Sequence, residues 1–337
     1  MFDRLGIFVI RRRRWVVGAT ILFAVLAGAI GGGVADRLSN GGFDDPNAEA
    51  VRAADALQDQ FGVANPNLVL LVTVPGSVDD PAGKLAGMAL TEELAQERGV
   101  GQVLSYWTTG IPAFKSEDGT KALVAGVIEG DEDHVNDRVD ALSAKYTRDT
   151  RDVTVTVGGF AEVFRQVGET IEHDLATSEK IAFPITLVLL VLIFGSLVAA
   201  GLPLLIGGIS IVGSFLILTV ISEMTLVSIF ALNLVTAMGL GLAIDYSLFV
   251  VSRFREELRN GLEVDDAVAQ TVRTAGRTVA FSGLTVALSL SALLVFPLAF
   301  LKSFAYAGVA VVLLAAVTST VFLPALLSML GTRVDKF

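Results

Sequence analysis

Residues 226–257 read LVSIFALNLVTAMGLGLAIDYSLFVVSRFREE, and the fold follows from how this stretch is read. From Leu226 to Val251 it is apolar and longer than the about 20 residues a helix needs to cross a roughly 30 Å hydrocarbon core. One ionisable acid interrupts it, Asp245. A charged Asp at mid-membrane stands about 2.5–3.5 kcal/mol uphill, so it calls for a compensating role. Helical spacing puts Ala237, Met238 and Gly241 on its face. Small residues mark a packing side, which predicts that Asp245 looks into a helix bundle rather than at lipid. An acid held there can take up and release a proton, as a relay requires, and Tyr246 sets a phenol beside it. The plainer alternative is a structural Asp held by neighbouring hydroxyls.

Working outward, five more apolar stretches are read as spans: Trp15 to Ala35, Ile181 to Ala200, Leu202 to Ile221, Val279 to Phe296, and Phe304 to Leu326 with Pro324 near its end. The first follows a basic leader and resembles a signal peptide ending at Gly33, Val34 and Ala35. Its apolar run exceeds the usual signal core, and Ala24, Gly28 and Gly32 form a small-residue stripe suited to helix packing. Thr278, Ser282, Thr285 and Ser289 draw a hydroxyl stripe down the fifth span. Such stripes often serve only as helix glue; beside Asp245 this one suggests a hydrated path. Val264, Ala267, Val268, Thr271, Val272 and Ala275 recur at helical spacing, predicting an amphipathic helix over 263–275 along the cytoplasmic interface. Arg4 and Arg11–Arg14, the cluster Arg253, Arg255, Arg259, Arg273 and Arg277, and finally Arg333 and Lys336 put these segments, and both termini, on the cytoplasmic side.

Between Asp36 and Lys180 the character changes. This segment holds 26 of the 35 acidic residues and 12 of the 25 basic ones in a chain of 337 residues and net charge −10. Such a surface is a poor partner for nucleic acid. Apolar patterning predicts a helix from Asp45 to Phe61 with Pro46 early in it, then strands at Asn67–Val74, Val100–Trp107, Lys121–Ile128 and Asp152–Val157. Helices at Asp80–Arg98 and Asp133–Tyr146 complete the order βαββαβ of a ferredoxin-like split unit. Pro75, Gly76, Gly110, Pro112 and Gly130 supply the turns. A helix from Ala161 to Lys180 runs on into the second span.

The predicted fold is therefore an α-helical polytopic membrane protein of six transmembrane helices with an α+β ferredoxin-like (βαββαβ) extracytoplasmic domain. Its parts are a leader and first span over 1–35, the outer domain over 36–180, a five-helix bundle over 181–330, and a cytoplasmic tail over 331–337. With no cysteine, disulfides and thiol chemistry are excluded. Asp131, Glu132 and Asp133 begin like a calcium loop, but Val135 stands at a ligand position and no bidentate Glu follows, so they read as an acidic helix start. His134 and His173 lack a ligand cluster, Glu223 reads as a loop residue, and no phosphate-binding GxxxxGK[ST] loop occurs. No catalytic constellation stands out, and no cofactor is called for.

Two segments carry a family resemblance: Gly239–Glu257, GLGLAIDYSLFVVSRFREE, and Gly276–Ser282, GRTVAFS. Together they resemble the MmpL branch of the resistance-nodulation-division transporters, and the likeness runs the length of the chain to Gly331, Arg333, Val334 and Asp335. The resemblance implies a bacterial plasma-membrane exporter of lipids or lipid-linked envelope precursors, energised by the proton gradient, with an amphipathic substrate handled by the outer domain. It implies a proton relay through an Asp-Tyr pair, here Asp245 and Tyr246, with the nearby serine of the fifth span falling on Ser282. Ser247 stands where the family pattern has Gly. Family members carry two such halves and this chain carries one copy, so its expected partner is a second half or a second copy of itself. A non-transporting lipid-binding or envelope-assembly scaffold is the alternative.

Overall fold

The computed structural model describes residues 2–39, 41–45, 47–62, 64–130 and 132–335. Pro46, Asp131 and Lys336, which entered the sequence reading, lie outside the described residues. Two compact units are present, one of residues 1–38 and 174–337 and one of residues 39–173.

The chain opens with α1 (Phe2–Arg11), which breaks at Arg12 before α2 (Arg13–Gly31). α1 is amphipathic and buries Val9 completely. The basic leader is thus itself a helix.

The second unit contains α3 (Glu49–Phe61), β1 (Leu68–Thr73), α4 (Pro81–Ala95), β2 (Val100–Ser105), a single turn α5 (Tyr106–Thr109), β3 (Lys121–Ile128), α6 (Glu132–Tyr146), β4 (Arg148–Asp149) and β5 (Thr154–Gly158). The expected start of α3 at Asp45 shifts to Glu49, because Asn47 N–H is turned back to the Asp45 carboxylate in an Asx turn. The five strands lie in the order β2-β3-β1-β5-β4, every neighbouring pair antiparallel. Alternation in β1 sends Leu68, Leu70 and Val72 to the core. There they meet Val124, Ile128, Val155 and Val157 of the sheet, Leu90 and Leu94 of α4, and Val139, Leu142 and Tyr146 of α6. Each large side chain so buried contributes about 1.5–3 kcal/mol. Gly87 of α4 lies flat under the Trp107 ring, 2.3 Å from where its Cβ would stand, so no larger residue fits. The two-residue β4 escaped the sequence reading because it is too short for any alternation to register.

α7 (Phe160–Phe194) is one helix of 35 residues. Among the described residues its apolar part is Lys180–Phe194, shorter than the candidate spans named below. The bound expected at Ala200 moves back to Phe194: Gly195 takes the left-handed conformation at φ +64° and Ser196 turns extended to cap the next helix. α8 (Leu197–Ser222) starts there, five residues before its expected start. α9 (Phe230–Arg259), α10 (Val264–Thr271), α11 (Arg277–Ser291), α12 (Ala299–Val317) and α13 (Leu323–Leu330) follow.

The helix expected over 263–275 forms as α10 and the turn after it. α10 passes through a π-helical turn at Val272–Gly276 straight into α11, and the run Val264–Val295 is continuous. Its inward side buries Ala267, Val268 and Thr271 against protein. A second π turn, Thr318–Phe322, joins α12 to α13. Among the described residues, five helical runs are long and apolar enough to span a membrane: those beginning at Arg13, Leu197, Phe230, Val264 and Ala299.

Candidate functional site

α9 packs against α8 and α12, and α11 packs against α12. Small residues set these approaches. The Cβ position of Gly239 falls 3.1 Å from Val311 of α12, and that of Gly207 on α8 falls 3.4 Å from Ala243. These contacts fix the rotation of α9 about its axis, and with it the direction of each candidate side chain.

Asp245 emerges on the side of α9 away from α8 and α12, and is exposed. The expectation that it faces the interior of this bundle is corrected. The small residues supposed to mark the packing side, Ala237 and Gly241, are exposed with it, and a Cβ on Gly241 would meet nothing within 4 Å. Among the described residues nothing packs on this stripe at Gly241. On α11 the hydroxyl stripe Thr278, Ser282, Thr285 and Ser289 is likewise exposed. Thr285 and Ser289 satisfy themselves on the carbonyls one turn back, at 2.9 and 3.0 Å.

Tyr246, one residue on, is turned inward and 6% exposed. Its ring is in the main buried cluster of the helices. Its hydroxyl lies 3.6 Å from the Cβ position of Gly283, the residue after Ser282, so the missing side chain at 283 leaves room for the phenol. The three predicted residues are therefore brought to one region without touching. Asp245 and Ser282 share the open side, Tyr246 reaches between α9, α11 and α12, and no hydrogen bond among the described residues joins them.

One turn toward the charged end of α9, a cleft of about 510 Å³ lies between α9 and the α10–α11 helix. Phe249, Arg253, Glu256, Thr274 and Thr278 are among its walls. Phe249 is four residues past Asp245 and Thr278 four before Ser282, so the cleft opens a turn below both. Arg253 is held there by Glu256 at 2.8 Å and by the buried Glu257. At the same end Arg13 of α2 donates to Ser328 Oγ at 2.9 Å and pairs with Asp265 at 3.2 Å, while Ser328 donates to Asp265 at 2.7 Å. Glu223, read as a solvated loop residue, pairs with Arg37 at the surface.

Sequence reasoning missed Gly283, the two π turns and the Arg13–Asp265–Ser328 clamp. A glycine directly after Ser282 was the available signal for the first. The π turns are local but carry no residue pattern that sets them apart from the α-helix around them, and the clamp joins residues far apart in the chain.

Long apolar helices packed through glycine and alanine, with one sheet-bearing unit, define a polytopic membrane protein. The chain belongs to the MMPL family, whose sequence profile matches residues 42–337. It is 40% identical over 317 residues, 93% of its length, to a putative membrane protein of Streptomyces coelicolor, of which it covers 44%. It is 33% identical over 346 residues to the trehalose monomycolate exporter MmpL3 of Mycolicibacterium smegmatis and 34% identical over 349 residues to that of Mycobacterium tuberculosis. The alignments take in 99% of this chain and 34% and 36% of those proteins. The chain thus spans less than half the length of these relatives. Among solved structures, SecDF of Thermus thermophilus, a translocon-associated membrane protein, shares the fold with TM-score 0.52 at 14% identity, over 96% of this chain and 38% of that one.

Proposed function

We propose that this chain is half of a proton-motive-force-driven exporter of lipids or lipid-linked envelope precursors. One observation carries the reading: Asp245, the lone acid of α9 between Phe230 and Val251, and the α11 hydroxyl stripe are both exposed on the open side of the helices. Left against hydrocarbon, a carboxylate costs about 2.5–3.5 kcal/mol even by the lower scales. A second half, or a second copy of this chain, seated on this face removes that cost and encloses the acid. Asp245 then alternates between protonated and ionised forms, with Tyr246 and Ser282 organising its hydrogen bonds. The cleft below them supplies water from the cytoplasmic side. A proton crossing about 100 mV yields about 2.3 kcal/mol, enough to bias a conformational cycle. The naming of the MmpL3 relatives as trehalose monomycolate exporters supports an amphipathic lipid as cargo.

The sheet-bearing unit is read as the ferredoxin-like, substrate-receiving domain outside the cytoplasm. The apolar end of α7 is read as a sixth crossing, with both termini cytoplasmic in a bacterial plasma membrane. The arginines flanking α2 and ending α9 support that orientation. A Glu117→Cys variant, in an exposed turn of a chain free of other thiols, reacts with an impermeant maleimide on intact cells if this holds; labelling only after permeabilisation reverses the topology.

Asp245→Asn tests the function. Reconstituted with its partner half, the variant keeps its assembly and melting behaviour and loses proton-coupled lipid movement. Undiminished transport would sink the relay and favour the lipid-binding scaffold.

A further inference from the structure

The leader helix α1 has two faces of opposite character. Phe2, Leu5, Gly6 and Val9 share one side, and that side is seated on protein. Val9 is fully buried, and Phe2 and Leu5 pack against the main buried cluster of the helices. The Cβ position of Gly6 falls 3.3 Å from Ala269 Cα of α10, and Phe2 Cδ1 lies 3.8 Å from the Cβ position of Gly276 in the first π turn. Arg4, Ile7, Phe8 and Arg11 follow at i, i+3, i+4 and i+7 on the opposite side, and all four are exposed, Ile7 by 50% and Phe8 by 54%. Two large apolar side chains thus face outward between two guanidiniums.

Both ends of α1 sit where an apolar run begins. One end joins α2 at Arg13, two residues before Trp15, which is 75% exposed. The other lies by Gly276, the residue before α11 starts at Arg277. A helix held at those two points runs at the level where hydrocarbon gives way to headgroups, whichever leaflet that is. With its inner face on α10 and the π turn, its outer face is turned to the lipid. Arginine on the polar side with Phe and Trp beside it is the pattern of helices that lie in that interface.

Charge selects the lipid. Arg4, Arg11, Arg12 and Arg14 are exposed and make no ion pair among the described residues, whereas Arg13 between them is paired with Asp265. Asp3 is the one acid in the first 14 residues. A zwitterionic headgroup offers such a cluster no net charge; an anionic surface does, and clusters of this size beside a span are drawn to it.

We propose that the outer face of α1 is a binding surface for anionic phospholipid, with Arg4, Arg11, Arg12 and Arg14 on the phosphate headgroups and Ile7 and Phe8 in the acyl boundary. This lipid contact is independent of the relay and of the substrate.

The test uses the full chain in nanodiscs, with Ile7→Cys as its one thiol carrying a bimane label and headgroup spin-labelled lipid as quencher. Phosphatidylglycerol is expected to quench the label about fivefold or more over phosphatidylcholine at equal dilution, the preference that one or more surface arginines give. Arg4→Gln with Arg11→Gln removes most of that preference, and Arg4→Lys with Arg11→Lys keeps it because the charge is kept. In the parent, salt at about 1 M, where the screening length is about 3 Å, erodes it as well. Unchanged melting of the glutamine variant in phosphatidylcholine discs shows that its fold is intact. Equal quenching by the two lipids in the parent, or a preference that survives the glutamine pair, overturns the surface. So does a label that neither lipid quenches, since protein then covers this face.

Discussion

Asp245 and Tyr246 are neighbours on α9, and the about 100° that separates consecutive helical residues sends the carboxylate to the open side and the phenol into the groove beside Gly283. The pair is therefore a link across the thickness of the helix rather than a carboxyl with a phenol leaning on it. Asp245→Asn is expected to slow proton-coupled transport by about 10² or more, the scale of losing a proton-transferring group. Tyr246→Phe keeps the acid and is expected to slow it less. Equal losses, measured as proton flux in the same vesicles, would make the phenol an obligatory proton carrier.

Cysteines at Gly241 and Ser282, both on the open side, are expected to cross-link across the assembled interface under mild oxidation when the partner carries a facing cysteine. Ala243→Cys, fully buried against α8, is expected to give no such product. Non-reducing gels read the result, and no cross-linked species from either open-side position would remove the case for a covering partner there.

The clamp of Arg13, Asp265 and Ser328 ties α2, α10 and α13 together. Arg13 and Asp265 are 41% and 54% exposed, so their charge contributes about 1 kcal/mol at most. Ser328→Ala removes the hydroxyl that bonds both, and a loss of about 1 kcal/mol in detergent unfolding is expected. Raising salt is expected to erase much of the Asp265→Asn effect and little of the Ser328→Ala effect.

In the sheet-bearing unit Glu97 accepts hydrogen bonds from Lys145, from Arg138 at 2.7 Å and from Tyr146 at 3.2 Å. The Lys145 ammonium chiefly holds its carboxyl below the usual 4.5, with Arg138 and Tyr146 adding to it against the cost of burial. Because the folded carboxyl is the stronger acid, its contribution is complete above the unfolded value and is lost as pH falls through the folded one. Thermal melting of the parent is expected to drop as pH falls below about 4.5, more steeply than that of Glu97→Gln.

Core packing in the same unit gives a sharper number. Leu70→Ala removes a fully buried side chain from the centre of β1, and a loss of about 2–5 kcal/mol is expected on chemical denaturation of the whole protein.

Much of the architecture was legible because hydrophobic period and length report it directly. The short apolar run Leu68–Thr73 ahead of Pro75 and Gly76, and the long apolar stretch on either side of Asp245, carry these elements in their lengths. The end of the Ile181–Ala200 segment was misplaced because composition cannot see a left-handed glycine: Phe194-Gly195-Ser196 reads as a continuation until the φ of Gly195 is known. At the site, residue identity revealed the acid, the phenol and the serine, but not their directions. The turn of Asp245 away from its own helices follows from where Gly207 and Val311 press on α9, and those contacts lie far off in sequence.

The π turn at Val272–Gly276 also constrains how this chain can vary. A π turn takes up one residue more than the α-helical path it replaces. Deleting one of the five residues therefore restores a plain helix of the same length and leaves the residues after it facing as they do now. Deleting a residue from the regular helix beyond it, within residues 279–281, instead swings everything that follows by about 100°. Ser282, Thr285 and Ser289 would leave the open side, so a single-codon deletion is a local matter inside the turn and rewrites which side of the helix is polar just past it.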